Sequence, residues 1–414
     1  MGNRVFITGR GIISPIGRNL RENEASLRCG KSGVRFCKDY ADLELDSKVA
    51  GIADAVPNSP LIDRKTLRFC PPVGVMSLEA VTEALAEAGL TPEDVRGKRI
   101  AIVGGVSNGN LRETVEAYLA YAPKHKIRYV SPYIVPRVMP SSAVAIISLI
   151  LGLTGESYDV SCACASSAAS IMLAARLIRS GDYDMVLAGG AEQIDWVQAL
   201  GFCAIRALST HYNDTPERAS RPFDRNRDGF VLASGASYVL LESEKSIQSR
   251  GARPISEISG FYSNSNATDM VVPDAEACTT VMRGAVADAG LNVEDIAYIN
   301  THGTSTGVGD PVEMAAIRNV FGSHLAINST KSQTGHMVGA TGAAEVIFSS
   351  LMLERHFLSP SINIEELDPE FEWADLVREC RNGTDCRHAL SNSFAFGGSN
   401  VAIVISDCGN GSAR

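Results

Sequence analysis

Apolar and polar positions alternate along this chain in two rhythms, and the switch between them recurs. Glu83-Ala-Leu-Ala-Glu-Ala-Gly-Leu-Thr-Pro-Glu-Asp-Val95 reads as the end of an amphipathic helix stopped at a Gly. A continuous apolar run, Ile100-Ala-Ile-Val103, follows and predicts a buried strand. Gly284-Ala-Val-Ala-Asp-Ala-Gly-Leu-Asn-Val-Glu-Asp-Ile296 repeats the helix end, with seven of thirteen positions identical at an offset of 201. Ala297-Tyr-Ile-Asn300 repeats the strand. A second echo joins Gly229–Leu241 to Ser393–Val404, each a turn of small residues running into an apolar strand. Strands such as Tyr183–Ala188 alternate with helices such as Ala168–Ile178. This pattern predicts layered α/β structure in two similar halves. The polar stretch Ser246–Arg253 sets the boundary near residue 250, giving halves 1–250 and 251–414.

Composition narrows the function classes. The chain is 45% hydrophobic and 21% charged, ordinary for a globular protein. A net charge of −9 gives no general attraction to nucleic acid or to an anionic membrane. The longest apolar run, Ala143–Leu151, is about half of a membrane span and reads as a core or interface segment. The first residues show no signal-peptide core, and Gly2 lacks the hydroxyl residue at position 6 that myristoylation needs. A cytoplasmic location is expected. None of the ten cysteines forms a CxxC pair, so reduced thiols are expected; Cys162-Ala-Cys164 is the one cluster.

Four segments carry candidate chemistry. In Tyr158–Ile178 a short strand ends near Ser161 and a helix with an apolar stripe begins just after, with only small residues between. A thiol in such a turn faces the positive end of a helix dipole, which favours the thiolate. Unpaired N–H groups there can hold an oxyanion. Cys164 is better placed than Cys162, although a buried small residue in a tight junction explains the pattern equally well. In Tyr298–Asp310, His302 ends a strand and opens a loop of Gly and Thr; the next helix starts near Asp310-Pro311, an acidic cap with Pro in its first turn. In Asn328–Glu345, Lys331, His336 and Glu345 share one apolar, Gly-rich stretch. Such groups are costly to bury unless they partner one another. In Ser391–Asn400, Gly397-Gly398 lets backbone N–H groups approach a ligand, and Phe394 and Phe396 are placed to gate a hydrophobic tunnel.

Two metal readings fail on spacing. Asp224-Arg-Asn-Arg-Asp-Gly229 imitates the start of a calcium loop, but the twelfth position is Gly235 rather than Glu, so a turn is expected. The seven His residues show no zinc-ligand spacing.

Together these segments resemble the β-ketoacyl-acyl-carrier-protein synthases, nearly end to end. Ala163-Cys-Ala-Ser166, His302-Gly-Thr-Ser-Thr306 and Lys331-Ser-Gln-Thr-Gly-His336 carry the likeness. Leu61–Lys65, Asp269–Pro273 and Leu351–Leu367 are most similar to the type I elongating branch. Cys162 departs from the Thr or Ser usual two residues before the nucleophile. The resemblance implies a thiolase fold of two pseudo-repeated α/β halves in five αβαβα layers. It implies Cys164 as nucleophile in a triad with His302 and His336, supported by Lys331 and Glu345. Thr304 and Thr306 would line the pantetheine path. Phe396 would gate the site, and the N–H groups of Cys164 and Phe396 would form the oxyanion hole. Lys65 and Arg68 would dock an acyl carrier protein. No metal or redox cofactor is implied. The implied assembly is a homodimer, with a heterodimer of related subunits, as in polyketide routes, as the alternative. A thiolase and an initiating synthase are disfavoured by His336, and a non-catalytic partner subunit by Cys164.

Overall fold

Eleven strands build one sheet from two copies of the same local order. A computed structural model describes residues 3–53 and 59–409; Gly2, where a lipidation signal would sit, lies outside them. The first half contributes β1 (Val5–Ile13), β2 (Ala101–Gly105), β3 (Ser157–Val160), β4 (Met185–Glu192) and β5 (Gly235–Ser243). The second contributes β6 (Ser256–Ser265), β7 (Tyr298–Asn300), β8 (Ala326–Asn328), β9 (Asp375–Leu376), β10 (His388–Phe394) and β11 (Ser399–Asp407). In space the first set runs β1-β5-β4-β2-β3 and the second β6-β11-β10-β7-β8, with β9 added at the edge. The senses match too. In each half the first two pairings are antiparallel and the next two parallel. The halves join where β1 meets β6, at only two residue pairs, Phe6 with Glu257 and Ile7 with Ser256.

Among the described helices, six form the layers, α1 (Pro72–Glu87), α2 (Ser142–Leu151), α3 (Ser166–Arg179), α5 (Ala275–Asp288), α6 (Gly309–Phe321) and α7 (Thr341–Glu354), and α4 (Trp196–Ala204) follows β4. Leu78, Val81 and Leu85 of α1 and Val144 and Ile147 of α2 pack on Leu187 and Leu240 of the first half-sheet. Val281 and Met282 of α5 and Met314 and Ile317 of α6 cover Ile299 and Val404 of the second. Between the two half-sheets lie α3 and α7, whose Ile171, Ile178, Val346 and Ile347 meet Val239 and Ile403. Every residue of α7 from Thr341 to Leu353 is buried. A helix buried on every side belongs in a central layer, because water reaches no face of it. Truncating one large apolar side chain there costs about 2–5 kcal/mol.

The sequence echo has a structural counterpart down to its caps. Beyond α1 and α5 the chain turns at Gly89 and Gly290, with φ of 72° and 69°. Thr91 with Asp94, and Asn292 with Asp295, then form reciprocal capping boxes before β2 and β7. The Asp224–Gly229 segment is a turn. Asp224 is buried, pairs with Arg221 at 3.0 Å and accepts the N–H groups of Asn226, Glu365 and Glu366. None of the described helices is long and apolar enough to cross a membrane.

Candidate active site

Two strand–turn–helix units bring their turns together. β3 leads into the turn Ala163–Ala165 and then α3. From β8 the chain passes Lys331–Thr334 and His336 into the turn Val338–Ala340 and then α7. Both turns open on a residue in the left-handed region, Ala163 at φ 47° and Val338 at φ 40°. Such backbone costs about 1–3 kcal/mol per residue and persists only where its surroundings enforce it. The surroundings here are the helix starts, stitched together by the N–H of Ala343 donating to Ser167 Oγ at 2.9 Å. Cys164 and Gly339 occupy the same place in their turns. A side chain at 339 would press within 2.7 Å of Glu192 Oε2 and the Ser107 nitrogen.

His302, just beyond β7, completes the group. Cys164 Sγ and one ring nitrogen each of His302 and His336 lie within 4.8 Å of one another. The two imidazoles meet edge to face, with centroids 5.3 Å apart and planes at 87°. Phe394 flanks His302 and Phe230 flanks His336, at 6.1 and 5.5 Å between centroids. The three groups sit in a cavity that Phe202, Thr304, Thr306, Phe394 and Phe396 also line. His336 Nδ1 lies 3.1 Å from Thr341 Oγ1. His336 Nε2 and His302 Nδ1 have no hydrogen-bond partner among the described residues.

Burial dominates the electrostatics. The Cys164 thiol is pushed up to about 12 by burial, against the pull of the Lys331 charge. Glu192 adds to the rise, while the N–H groups of Phe396 and Cys164 itself oppose it. The thiolate expected from the helix dipole is therefore not favoured in the resting site: desolvation outweighs the helix end. Both imidazoles are held well below their ordinary value, by burial first and then by Lys331, so they are neutral near pH 7. Lys331 Nζ reaches Glu345 Oε1 at 2.6 Å, with both side chains about 1% exposed. Burial still pushes Glu345 up to about 7, opposed by Lys331. One thiol and two neutral imidazoles, near a buried cation and two helix starts, can form a thioester and hold negative charge on oxygen. The same donors are of the kind that a soft divalent ion takes.

The profile described as "Beta-ketoacyl synthase, N-terminal domain" matches residues 2–246, and "Beta-ketoacyl synthase, C-terminal domain" matches residues 255–365. The chain belongs to the β-ketoacyl synthase family. Among curated relatives of this synthase, 3-oxoacyl-[acyl-carrier-protein] synthase 1 of Haemophilus influenzae is 42% identical over 97% of this chain and 98% of its own. The protein of that name in Escherichia coli K12 is 41% identical with the same coverage. Among solved structures, a β-ketoacyl synthase from Burkholderia phymatum has a TM-score of 0.93 and 34% identity, covering 98% of this chain and 99% of that one. The ishigamide ketosynthase/chain length factor has a TM-score of 0.92 at 29% identity, covering 99% of this chain and 100% of that one.

Other expected residues of the synthase fall inside and outside the cavity. Thr304, Thr306, Phe394 and Phe396 line it; Phe202 of α4 lines it too, and the apolar run Ala143–Leu151 of α2 is not among the described lining residues. Lys65 and Arg68 are exposed on a surface turn, and Arg68 donates to the Tyr133 hydroxyl at 3.3 Å. The N–H groups of Gly397 and Gly398 are not free for a ligand. They donate to the Met270 and Ala395 carbonyls at 2.8 and 3.0 Å, and in this segment it is Phe396 that turns its N–H toward Cys164. Asp310 does not cap its own helix. Its carboxylate accepts the N–H groups of Phe223 and Ser305, at 3.0 and 3.1 Å.

Two buried carboxylates escaped the sequence reading. Glu313 accepts the N–H groups of His302 and Gly303 at 2.8 and 2.7 Å and the Asn392 amide at 3.0 Å, and so fixes the His302 loop. It lies with Asp310, Met314, Ile317 and Val320 on the buried stripe of α6, a polar break that helical periodicity could have flagged. Glu192, at the end of β4, accepts the N–H groups of Ser107 and Gly339, both at 3.0 Å, and burial pushes it up to about 7. It follows Gly189-Gly-Ala191 and precedes Gln193, and nothing local marks it.

Proposed function

We propose that this chain catalyses decarboxylative condensation of an acyl group held on Cys164 with a malonyl thioester on acyl carrier protein. The observation that carries the reading is the convergence of the Cys164 thiol with two neutral imidazoles at the base of a cavity. Sγ attacks the acyl thioester while its proton passes through an imidazole lone pair to the departing carrier thiolate. The N–H groups of Cys164 and Phe396 hold the tetrahedral oxyanion. Malonyl carrier then enters and its terminal C–C bond breaks to release carbon dioxide. The enolate oxygen is held by N–H groups of His302 and His336. Its carbon attacks the acyl-Cys164 carbonyl, the C–S bond breaks with Sγ leaving as thiolate, a 3-ketoacyl carrier two carbons longer departs, and Sγ takes up a proton from water to restore the resting thiol. Thr341 fits this scheme by donating to His336 Nδ1, which puts the ring proton on Nε2. Lys331, with Glu345, supplies a fixed positive charge beside the developing enolate.

On this reading Thr304 and Thr306 border the pantetheine arm, Phe394 and Phe396 border the acyl path, and Lys65 and Arg68 meet the acidic carrier. The halves divide near residue 250, the enzyme works in the cytoplasm as a homodimer, and the product feeds fatty acid synthesis. A second reading, the catalytic subunit of a polyketide-type heterodimer, is favoured by the likeness to the ishigamide ketosynthase/chain length factor. Light scattering of the chain alone separates the two. Cys164→Ala, incubated with labelled acyl carrier, is expected to form no acyl-enzyme and to lose on the order of 10⁴-fold or more in condensation rate. A labelled acyl-enzyme in that variant overturns the assignment.

A further inference from the structure

The three groups that meet in the cavity also make a set of metal donors. Cys164 Sγ and one ring nitrogen each of His302 and His336 lie within 4.8 Å of one another. Zinc bonds to sulfur and nitrogen of about 2.3 and 2.0 Å put the donors of a tetrahedral site about 3.3–3.6 Å apart. Closing the set by at most about 1.5 Å reaches that spacing, which side-chain rotation covers. The nitrogens are available. With His336 Nδ1 engaged by Thr341 Oγ1 at 3.1 Å, Nε2 is the atom left for a ligand, and it has no hydrogen-bond partner among the described residues. The Thr341 hydroxyl can turn to accept from Nδ1, which leaves the lone pair on Nε2. The ring is 2% exposed. His302 is held at its backbone, because Glu313 accepts its N–H at 2.8 Å and that of Gly303 at 2.7 Å. Such outer contacts fix a ligand before the ion arrives.

The donor types select the ion. A thiolate and two imidazoles suit zinc and its neighbours, whereas magnesium and calcium take oxygen ligands. No carboxylate of the described residues joins the set. Three protein ligands leave a fourth position, and the cavity provides both room for it and a path of entry. Lys331 opposes a dication here, but its charge is matched by Glu345 at 2.6 Å. The exchange balances as follows: the Sγ–H bond breaks and its proton leaves to water, the Sγ–metal bond forms, each imidazole gives a lone pair without losing a proton, and three waters leave the ion. Each of these ligands is a group that condensation uses, so an ion and an acyl group compete for Sγ.

We propose that Cys164, His302 and His336 bind a thiophilic divalent ion, zinc above all, and that the bound ion keeps Cys164 from taking an acyl group. The metal site stands without the condensing-enzyme reading; the exclusion of acyl groups rests on it. The full chain, freed of metal with a chelator, is titrated with cobalt(II) and then with zinc. Cobalt is expected to give the thiolate-to-metal charge-transfer absorption and the red ligand-field bands of a four-coordinate site, and zinc to bleach both. Cys164→Ser is expected to lose the charge-transfer absorption, and Cys162→Ser to keep it. His302→Ala and His336→Ala are each expected to weaken zinc by about 100-fold or more, beyond the roughly 10–100-fold that loss of an outer-shell partner brings. Acyl labelling of Cys164 is expected to stop at saturating zinc and to return with chelator. Absence of the bands in the wild-type chain overturns the proposal. So does their persistence in Cys164→Ser, or after alkylation of the wild-type thiol, a test that needs no variant to fold. Unchanged zinc affinity in both His variants overturns it in favour of a thiol adduct alone. Acyl labelling that proceeds at saturating zinc overturns the exclusion. A metal-free chain that takes no acyl label refutes the condensing-enzyme reading instead, and the cobalt result then stands on its own.

Discussion

The turn that carries Cys164 and the turn that follows His336 are the same backbone device used for different ends. Each follows the third strand of its half, opens on a left-handed residue, runs three residues and starts a central helix. In the first, the middle residue is the thiol. In the second it is Gly339, whose missing side chain leaves room for Glu192 and the Ser107 backbone. The reactive side chain of the second unit is displaced three residues upstream, to His336. The comparison teaches that the fold supplies position and helix-end potential twice. What differs is which side chain the local space admits, and burial then fixes its protonation. Both the thiol and the imidazoles are neutral in the resting site: at the thiol the helix start does not overcome desolvation, whereas at His336 a helix start and desolvation both disfavour the charged ring.

The comparison can be strained at several points. The largest expected effect comes from removing the cation that serves the second unit. Lys331→Ala leaves Glu345 buried without its partner and is expected to destabilise the fold by about 3–5 kcal/mol. Lys331→Met with Glu345→Gln is expected to recover much of that loss in urea unfolding, without recovering condensation.

Next is the thiol's protonation. With Cys164 pushed up to about 12, the thiolate fraction grows with each step toward alkaline pH. Iodoacetamide alkylation of Cys164 should therefore rise about tenfold per pH unit between 7 and 9, following the thiolate fraction. A plateau below pH 8 would mean that the helix end wins after all. A side chain at the matching Gly is the third strain. Gly339→Ala drives a methyl against Glu192 and the Ser107 nitrogen and is expected to cost about 1–3 kcal/mol in thermal unfolding. The smallest effect is Ala163→Gly, which relieves φ at 47° and is expected to stabilise by up to about 1 kcal/mol. A destabilised Ala163→Gly variant would show that Ala163 is held by packing rather than strained.

Much of this arrangement was readable from residue order. Periodicity and the Ala-Gly-Leu echo disclosed two α/β halves, because helix ends and buried strands leave local signatures. Cys164, His302, Lys331 and His336 stood out through the density of Gly and small residues around them. Their convergence did not, since the thiol and the imidazoles lie on separate strand ends that only the sheet order brings together. Zinc-type spacing was absent from the sequence, and yet three donors meet within 4.8 Å. Glu192 was hidden because its partners, Ser107 and Gly339, are remote in sequence and bind it through backbone N–H groups. The raised thiol was misjudged because a helix end is visible in sequence, whereas the depth at which it is buried is not.

The two-pair seam between β1 and β6 has a consequence for ancestry. If such a fold began as one half associating with its copy, both turns would have carried the same residue. A thiol on one side would have meant a thiol on the other, where Glu192 now needs the space. Identical copies cannot place Cys at one turn and Gly at its counterpart; copies that have diverged can, and here the two are joined in one chain. Divergence between the halves is then the step that lets one fold hold a nucleophile and its imidazoles face to face.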